Sequence, residues 1–287
     1  MRTRYLSLAG CIATVILAGH VIVPVSAHGQ DSEPINLAAE ARDPTASLTA
    51  LTIRLDLTSS FHNLPDADQG TLVVQPVIPW KLGGKPHVAR VTGSYVVNAP
   101  DWGNLAESAA VGNLPPNYTP TKELTGLGDL AAVDFFLYEA PWSGRWGIGP
   151  ALLIPTASDP ALSGGKWAAG PAAVAIYRKG ELQLGVLGQG MFSFAGASDR
   201  DDLNMISMQP FGGLGFGGGW SVGLSEVQYN YNLDAKRWAG AAFGLRVEKL
   251  VHFGKQPARL FVDAEYQFID DIVAAEWTYR FAVVPLL

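Results

Sequence analysis

Leu51-Thr52-Ile53-Arg54-Leu55-Asp56-Leu57-Thr58 decides the fold. Leu51, Ile53, Leu55 and Leu57 fall on one side and Thr52, Arg54, Asp56 and Thr58 on the other, a period of two that only an extended strand produces. The pattern returns near the end of the chain. Leu260, Val262, Ala264, Tyr266 and Phe268 oppose Arg259, Asp263, Glu265 and Gln267, with Phe261 as the exception. Trp277, Tyr279, Phe281 and Val283 oppose Glu276, Thr278 and Arg280. No helical period competes over a comparable length.

Composition says what kind of sheet this is. Of 287 residues 48% are hydrophobic and only 16% are charged, against roughly a quarter charged in an ordinary soluble domain. Beyond the extreme N-terminus, no stretch reaches the ~20 apolar residues of a spanning helix. An apolar chain built of strands then has one membrane solution, the closed barrel, in which every backbone group is paired. The net charge of -6 and the absence of any basic run exclude a nucleic-acid partner.

The first residues have the features of an export signal: Arg2 and Arg4, an apolar stretch from Leu6 to Val23, and Val25-Ser26-Ala27 as a small-x-small cleavage site. Leu8-Ala9-Gly10-Cys11 has the look of a lipobox, but cleavage there would leave the apolar run Ile12 to Val23 on the product. The expected organisation is a cleaved signal peptide over 1–27, an exposed periplasmic lead segment over 28–47, and a barrel over 48–287. The lead segment is too short for a plug domain of the energy-coupled receptors, which argues for passive movement. Cys11, the only cysteine, leaves with the signal, so no disulfide contributes to stability.

Gly, Pro, Asn and Asp clusters punctuate the remainder into strands near 50–60, 70–79, 87–97, 126–138, 145–156, 166–177, 180–192, 203–214, 218–230, 237–249, 258–268 and 273–284. The fold expected is therefore all-β: a transmembrane antiparallel β-barrel of about 12 strands. With both termini in the periplasm, the turns there are compact and the long connections, 98–125 above all, lie outside, as outer-membrane barrels require. Acidic residues gather in the external set and Lys81, Lys85, Arg178, Lys179 and Lys255 in the periplasmic set. Trp80, Trp142, Trp146 and Trp220 mark one interface, Trp167 and Trp238 the other. Pro76, Pro150, Pro155, Pro171 and Pro210 interrupt proposed strands and read as bulges or strand breaks.

Several short motifs in fixed order carry a family resemblance: Thr125-Gly126-Leu127-Gly128-Asp129, Trp146-Gly147-Ile148-Gly149-Pro150, Ile154-Pro155-Thr156-Ala157-Ser158, Gly164-Gly165-Lys166-Trp167, Gly170-Pro171, Ser193-Phe194-Ala195-Gly196, Gln209-Pro210 and Gly219-Trp220. From about Ala41 onward the chain resembles the bacterial outer-membrane family labelled meta-pathway phenol degradation protein, or simply transporter. That resemblance implies a barrel akin to hydrocarbon and fatty-acid uptake channels. The partners expected of such a barrel are outer-membrane lipids, lipopolysaccharide and the outer-membrane assembly machinery. The chain departs from many barrels in ending Val283-Val284-Pro285-Leu286-Leu287 rather than on an aromatic residue, although Tyr279 and Phe281 supply lipid-facing aromatics in the last strand.

Candidate chemistry is confined to the polar face. His28, His62, His87 and His252 lie apart and none has a serine two residues on, which speaks against a lipid hydrolase and against any catalytic residues. They share no local motif, so neither a metal nor a cofactor is expected. Gly213-Leu214-Gly215-Phe216-Gly217-Gly218 matches a dinucleotide fingerprint in letters but runs on into a strand instead of a helix. An arginine facing lipid would cost about 2–4 kcal/mol at the midplane, so the charged groups are expected to face the lumen. The expected lumen-lining residues are Arg54, Asp56, Arg246, Glu248, Arg259, Asp263, Glu265, Glu276 and Arg280 in one mixed-sign quadrant, with Asp134 isolated opposite. Gly, Ala and Gln dominate the wall between 145 and 192. The expected function is an outer-membrane channel for passive uptake of small solutes, aromatic or otherwise hydrophobic. The alternative is a closed-lumen structural or binding barrel whose external loops do the work.

Overall fold

The computed structural model describes residues 37–100 and 123–287. The proposed signal peptide, the first part of the lead segment and most of the long 98–125 connection lie outside the described residues. The described chain opens with a short helix, α1 (Leu37–Arg42), and continues as fifteen strand segments in one antiparallel sheet. These are β1 (Ala50–His62), β2 (Gln69–Leu82), β3 (Lys85–Pro100), β4 (Glu123–Leu127), β5 (Leu130–Ala140), β6 (Gly144–Ile154), β7 (Lys166–Lys179) and β8 (Leu182–Gly196). The second half comprises β9 (Asn204–Gly217), β10 (Trp220–Leu224), β11 (Tyr229–Asn232), β12 (Arg237–Gly240), β13 (Ala242–Phe253), β14 (Gln256–Gln267) and β15 (Ala274–Pro285).

The pairs β4/β5, β10/β11 and β12/β13 are each a single interrupted stave, so the sheet makes a barrel of twelve. Its closure is complete: β15 pairs with β1 through Asp56 opposite Arg280, and β9 pairs with both β10 and β11. Among the described residues each of the twelve staves is paired on both sides over most of its length, which is what allows a sheet to span a bilayer. All twelve stretches expected from sequence are present, though three of them are broken.

Alternation sorts the side chains. Outside, Val74, Ile78, Val91, Tyr95, Ile148, Val186, Ile206, Val222, Leu245, Val262 and Phe281 stand exposed around the circumference, the apolar belt that lipid requires. Trp80 and Trp220 sit at one end of their staves and Trp167, Trp238 and Trp277 at the other, also exposed, forming two interfacial girdles. Inside, Val133, Phe135, Leu137, Ala151, Ala172, Val174, Ile176, Leu187 and Met191 form one contiguous apolar wall.

The connections at one end are tight: 83–84, 141–143, 180–181, 218–219 and 254–255. Gly83 and Gly84 have φ of 57° and 79°, and Gly218 and Gly219 60° and 77°, the twin left-handed pair that a two-residue hairpin of this hand needs. The connections at the opposite end, such as 155–165 and 268–273, are longer.

The prolines are handled differently from expectation. Pro76 pairs with Leu51 on β1 while the β2–β3 ladder skips from Val74–Gly93 to Val77–Arg90 with register unchanged. Pro150 and Pro171 face each other across β6–β7, and the ladders on their outer sides skip in the same way without a shift. A proline lacks a donor on one side only, so each strand loses pairing toward one neighbour and keeps it toward the other. Pro155 lies just past β6. Only Pro210 abuts a true break, the gap between β10 and β11.

Candidate functional site

The lumen wall is of two kinds. On β1, β13, β14 and β15 the inward side chains are charged, and they are tied together. Arg54 is bidentate to Asp56, with Nε to Oδ1 at 2.6 Å and Nη2 to Oδ2 at 2.8 Å. Arg246 donates to Asp263 at 2.6 and 3.1 Å and lies 3.6 Å over the Phe261 ring. Arg280 donates to Glu265 at 2.8 and 3.1 Å and to Asp263 at 3.3 Å. Arg259 reaches Glu248 at 3.4 Å, and Glu248 in turn accepts from Ser221 at 2.7 Å. Phe261, the exception in the sequence pattern, belongs to this inner face and serves as the platform for Arg246. A buried charge that loses its partner costs several kcal/mol, so such a cluster persists only when every member is answered.

One member was not expected. Between β10 and β11 the chain leaves the ladder at 225–228, and Glu226 turns inward to meet both Arg54 and Arg246. Sequence parity assigns Glu226 to the lipid side of an unbroken strand, next to Val227. Val227 and Ser225 on either side of it are buried, each at 1% exposure.

Among the residues expected in the lumen, Asp134 is a correction. Val133, Phe135 and Leu137 take the inner face of β5, so Asp134 points outward. There its Oδ1 accepts from Trp80 Nε1 at 2.8 Å, and its Oδ2 lies 2.9 Å from His87 Nδ1. The His87 ring is packed between Trp80 and Phe136, with centroids 4.5 and 4.3 Å away. The carboxylate is thus answered by two neighbouring side chains on the outer face. Apolar residues on both sides of Asp134 had hidden the parity. Glu276 shares the inner face of β15 with Thr278 and Arg280, but stands nearer the end with long connections and makes no ion pair among the described residues.

Residues 37–46, the described part of the lead segment before β1, are not the exposed stretch expected. At the end with tight turns, α1 and residues 43–46 lie inside the barrel mouth; Asp43, Thr45 and Ala46 are buried. Asp43 accepts from Arg178 and lies 4.0 Å from Arg145. Glu40 also pairs with Arg178. Arg145 donates to the Thr45 carbonyl at 2.8 Å, and Gln183 donates to the Arg42 carbonyl at 3.0 Å. Arg42 reaches Glu181 at 3.4 Å. The opposite flank is apolar: Leu37 and Ala41 pack on Phe261, Ala282, Val284 and Leu286. One short segment thus bridges the β6–β8 wall to the β14–β15 wall.

Above this bridge lies a cavity of about 380 Å³. Residues 40–44 and Ala46 floor it. Arg54, Arg246, Glu248 and Arg259 line one side, Val133, Ala151, Leu187, Met191 and Phe211 the other, and Gln75, Gln183, Gln189, Gln209 and Gln228 complete it. Its size is that of a small-molecule site, and its lining is half apolar and half polar. Among the described residues no three His, Cys, Asp or Glu side chains are placed to share a metal ion.

No family model matches the chain, and no curated protein sequence does. Solved structures do. The COG4313 outer membrane channel from Pseudomonas putida F1 superposes with a TM-score of 0.61 at 12% identity, over 90% of this chain and 100% of that one. Outer membrane phospholipase A from Escherichia coli gives 0.40 at 12% identity, over 83% and 90%. The anion-selective porin from Comamonas acidovorans gives 0.33 at 8%, over 84% and 98%. The two lower scores carry no argument; the first is a likeness of fold, and by it this chain has the architecture of an outer-membrane β-barrel.

Proposed function

We propose that the protein is an outer-membrane channel giving passive passage to small solutes, aromatic or otherwise hydrophobic. The observation that carries this reading is the cavity: a closed lipid-facing barrel encloses a small-molecule volume with an apolar wall. A purely structural barrel would have filled that volume with side chains. The sequence resemblance to the transporter family and the fold shared with the Pseudomonas putida channel support the same reading. We assign the protein to the outer membrane and attribute no enzymatic chemistry to it. His87 contacts a carboxylate and two rings rather than a hydroxyl nucleophile, and His62 Nε2 is occupied by the Gln267 carbonyl at 2.8 Å.

A second reading, a binding barrel that takes a solute without passing it, draws on the bridge at the mouth and on the ion-paired wall. Purified protein in planar bilayers and solute-loaded liposomes separates the two. Passage predicts solute flux from the wild type, altered when Arg54→Ala and Arg259→Ala remove two cations from the wall. No flux and no conductance from either protein would overturn it.

A further inference from the structure

The arginines of the lumen are not equivalent. Arg54, Arg246, Arg259 and Arg280 each have a carboxylate within 3.4 Å or closer. Arg90 has none: it lines the cavity from β3, and among the described residues its guanidinium makes no hydrogen bond or ion pair. Glu226 makes its ion pairs with Arg54 and Arg246 instead.

The surroundings of Arg90 are specific. In the ladders it stands between Val77 on β2 and Val133 on β5, so it sits where the apolar wall begins. Two residues along the same face, Thr92 Oγ1 accepts from Gln75 Nε2 at 2.8 Å, which leaves the Thr92 hydroxyl hydrogen to donate elsewhere. A planar fork of donors with a hydroxyl beside it fits a carboxylate, which can accept from Arg in bidentate fashion. The adjoining Val133, Ala151, Leu187 and Met191 fit the hydrocarbon or aryl body attached to that carboxylate. A bare inorganic anion would leave this wall unused, and a neutral hydrocarbon would leave the guanidinium unanswered.

We propose that the cavity is a binding site for a monocarboxylate with a compact apolar body, the carboxylate held by Arg90 and Thr92 and the body laid on the β5–β8 wall. This rests on the reading of the cavity as the solute site and deepens it by naming the solute's chemistry. The site itself requires only binding, whether or not the solute then passes.

The test is calorimetric titration of the purified full-length barrel with benzoate, with benzyl alcohol as the uncharged counterpart and with chloride as a bare anion. The wild type is expected to bind benzoate at least tenfold more tightly than benzyl alcohol, and chloride more weakly than either. Arg90→Gln is expected to lose at least tenfold for benzoate and to leave benzyl alcohol unchanged. Heat-modifiable migration of Arg90→Gln on gels verifies that its barrel forms. The comparison of the three ligands on the wild type needs no variant at all. Equal affinity for benzoate and benzyl alcohol, no benzoate binding, or benzoate affinity unchanged in Arg90→Gln would overturn the proposal. Benzoate selectivity without flux would remove the passage reading and leave this site standing; flux without benzoate selectivity would do the reverse.

Discussion

Glu226 occupies the gap between β10 and β11, and from there its carboxylate serves two arginines on different strands, Arg54 and Arg246. Neutralising it keeps the shape and removes the charge. Glu226→Gln is therefore expected to lower the unfolding free energy by about 1.5–3 kcal/mol, the range for hydrogen bonds to charged groups, measured as a shift in urea midpoint with the slope unchanged. The residues that sequence pattern placed in the charged quadrant are legible because each alternates with an apolar neighbour: Arg54 between Ile53 and Leu55, Asp263 between Val262 and Ala264. Arg90 was equally legible, between Ala89 and Val91, but stands outside that quadrant. Asp134 and Glu226 were not. One lies in a run that is apolar on both faces, where parity has no marker. The other depends on a strand break that alternation does not encode.

At the scale of elements, three of the short motifs, 125–129, 154–158 and 164–167, meet in one structure. Asp129, just after β4, accepts from the Ala157 amide at 3.2 Å, the Ser163 hydroxyl at 2.8 Å and the Gly164 amide at 3.1 Å. The Leu127 amide donates to Ser158 Oγ at 2.9 Å, and the Leu130 amide to Thr156 Oγ1 at 3.1 Å. Gly126, at φ +154°, leaves room where a Cβ would come within 2.2 Å of Ser158 Oγ. These bonds form a latch that fixes the 155–165 connection to the start of β5. Asp129→Ala removes all three bonds to the carboxylate, so the loop is expected to open by about 2 kcal/mol more readily, over tenfold in equilibrium. Limited proteolysis within 157–164 should quicken accordingly while barrel melting stays unchanged. Strands were legible because alternation and turn glycines agree. The prolines misled because a missing donor affects one ladder only, and sequence does not say which neighbour lies on that side.

Over the whole molecule, the charges are few and placed where the barrel needs them: a neutralising network on one wall, and a second set of arginines, Arg145 and Arg178, that draws the segment 40–45 across the mouth. The closed barrel could be foreseen from the apolar, strand-only composition. The bridge could not, because residues 37–46 show neither strand alternation nor enough length to announce a domain, and their acidic residues find partners from strands more than a hundred residues away. If solute passes along the lumen, it passes this segment. Single-channel conductance of Arg145→Gln combined with Arg178→Gln, compared with the wild type in planar bilayers, tests that most directly. Releasing Glu40, Asp43 and the Thr45 carbonyl is predicted to raise conductance several-fold. Conductance indistinguishable from the wild type would contradict the account.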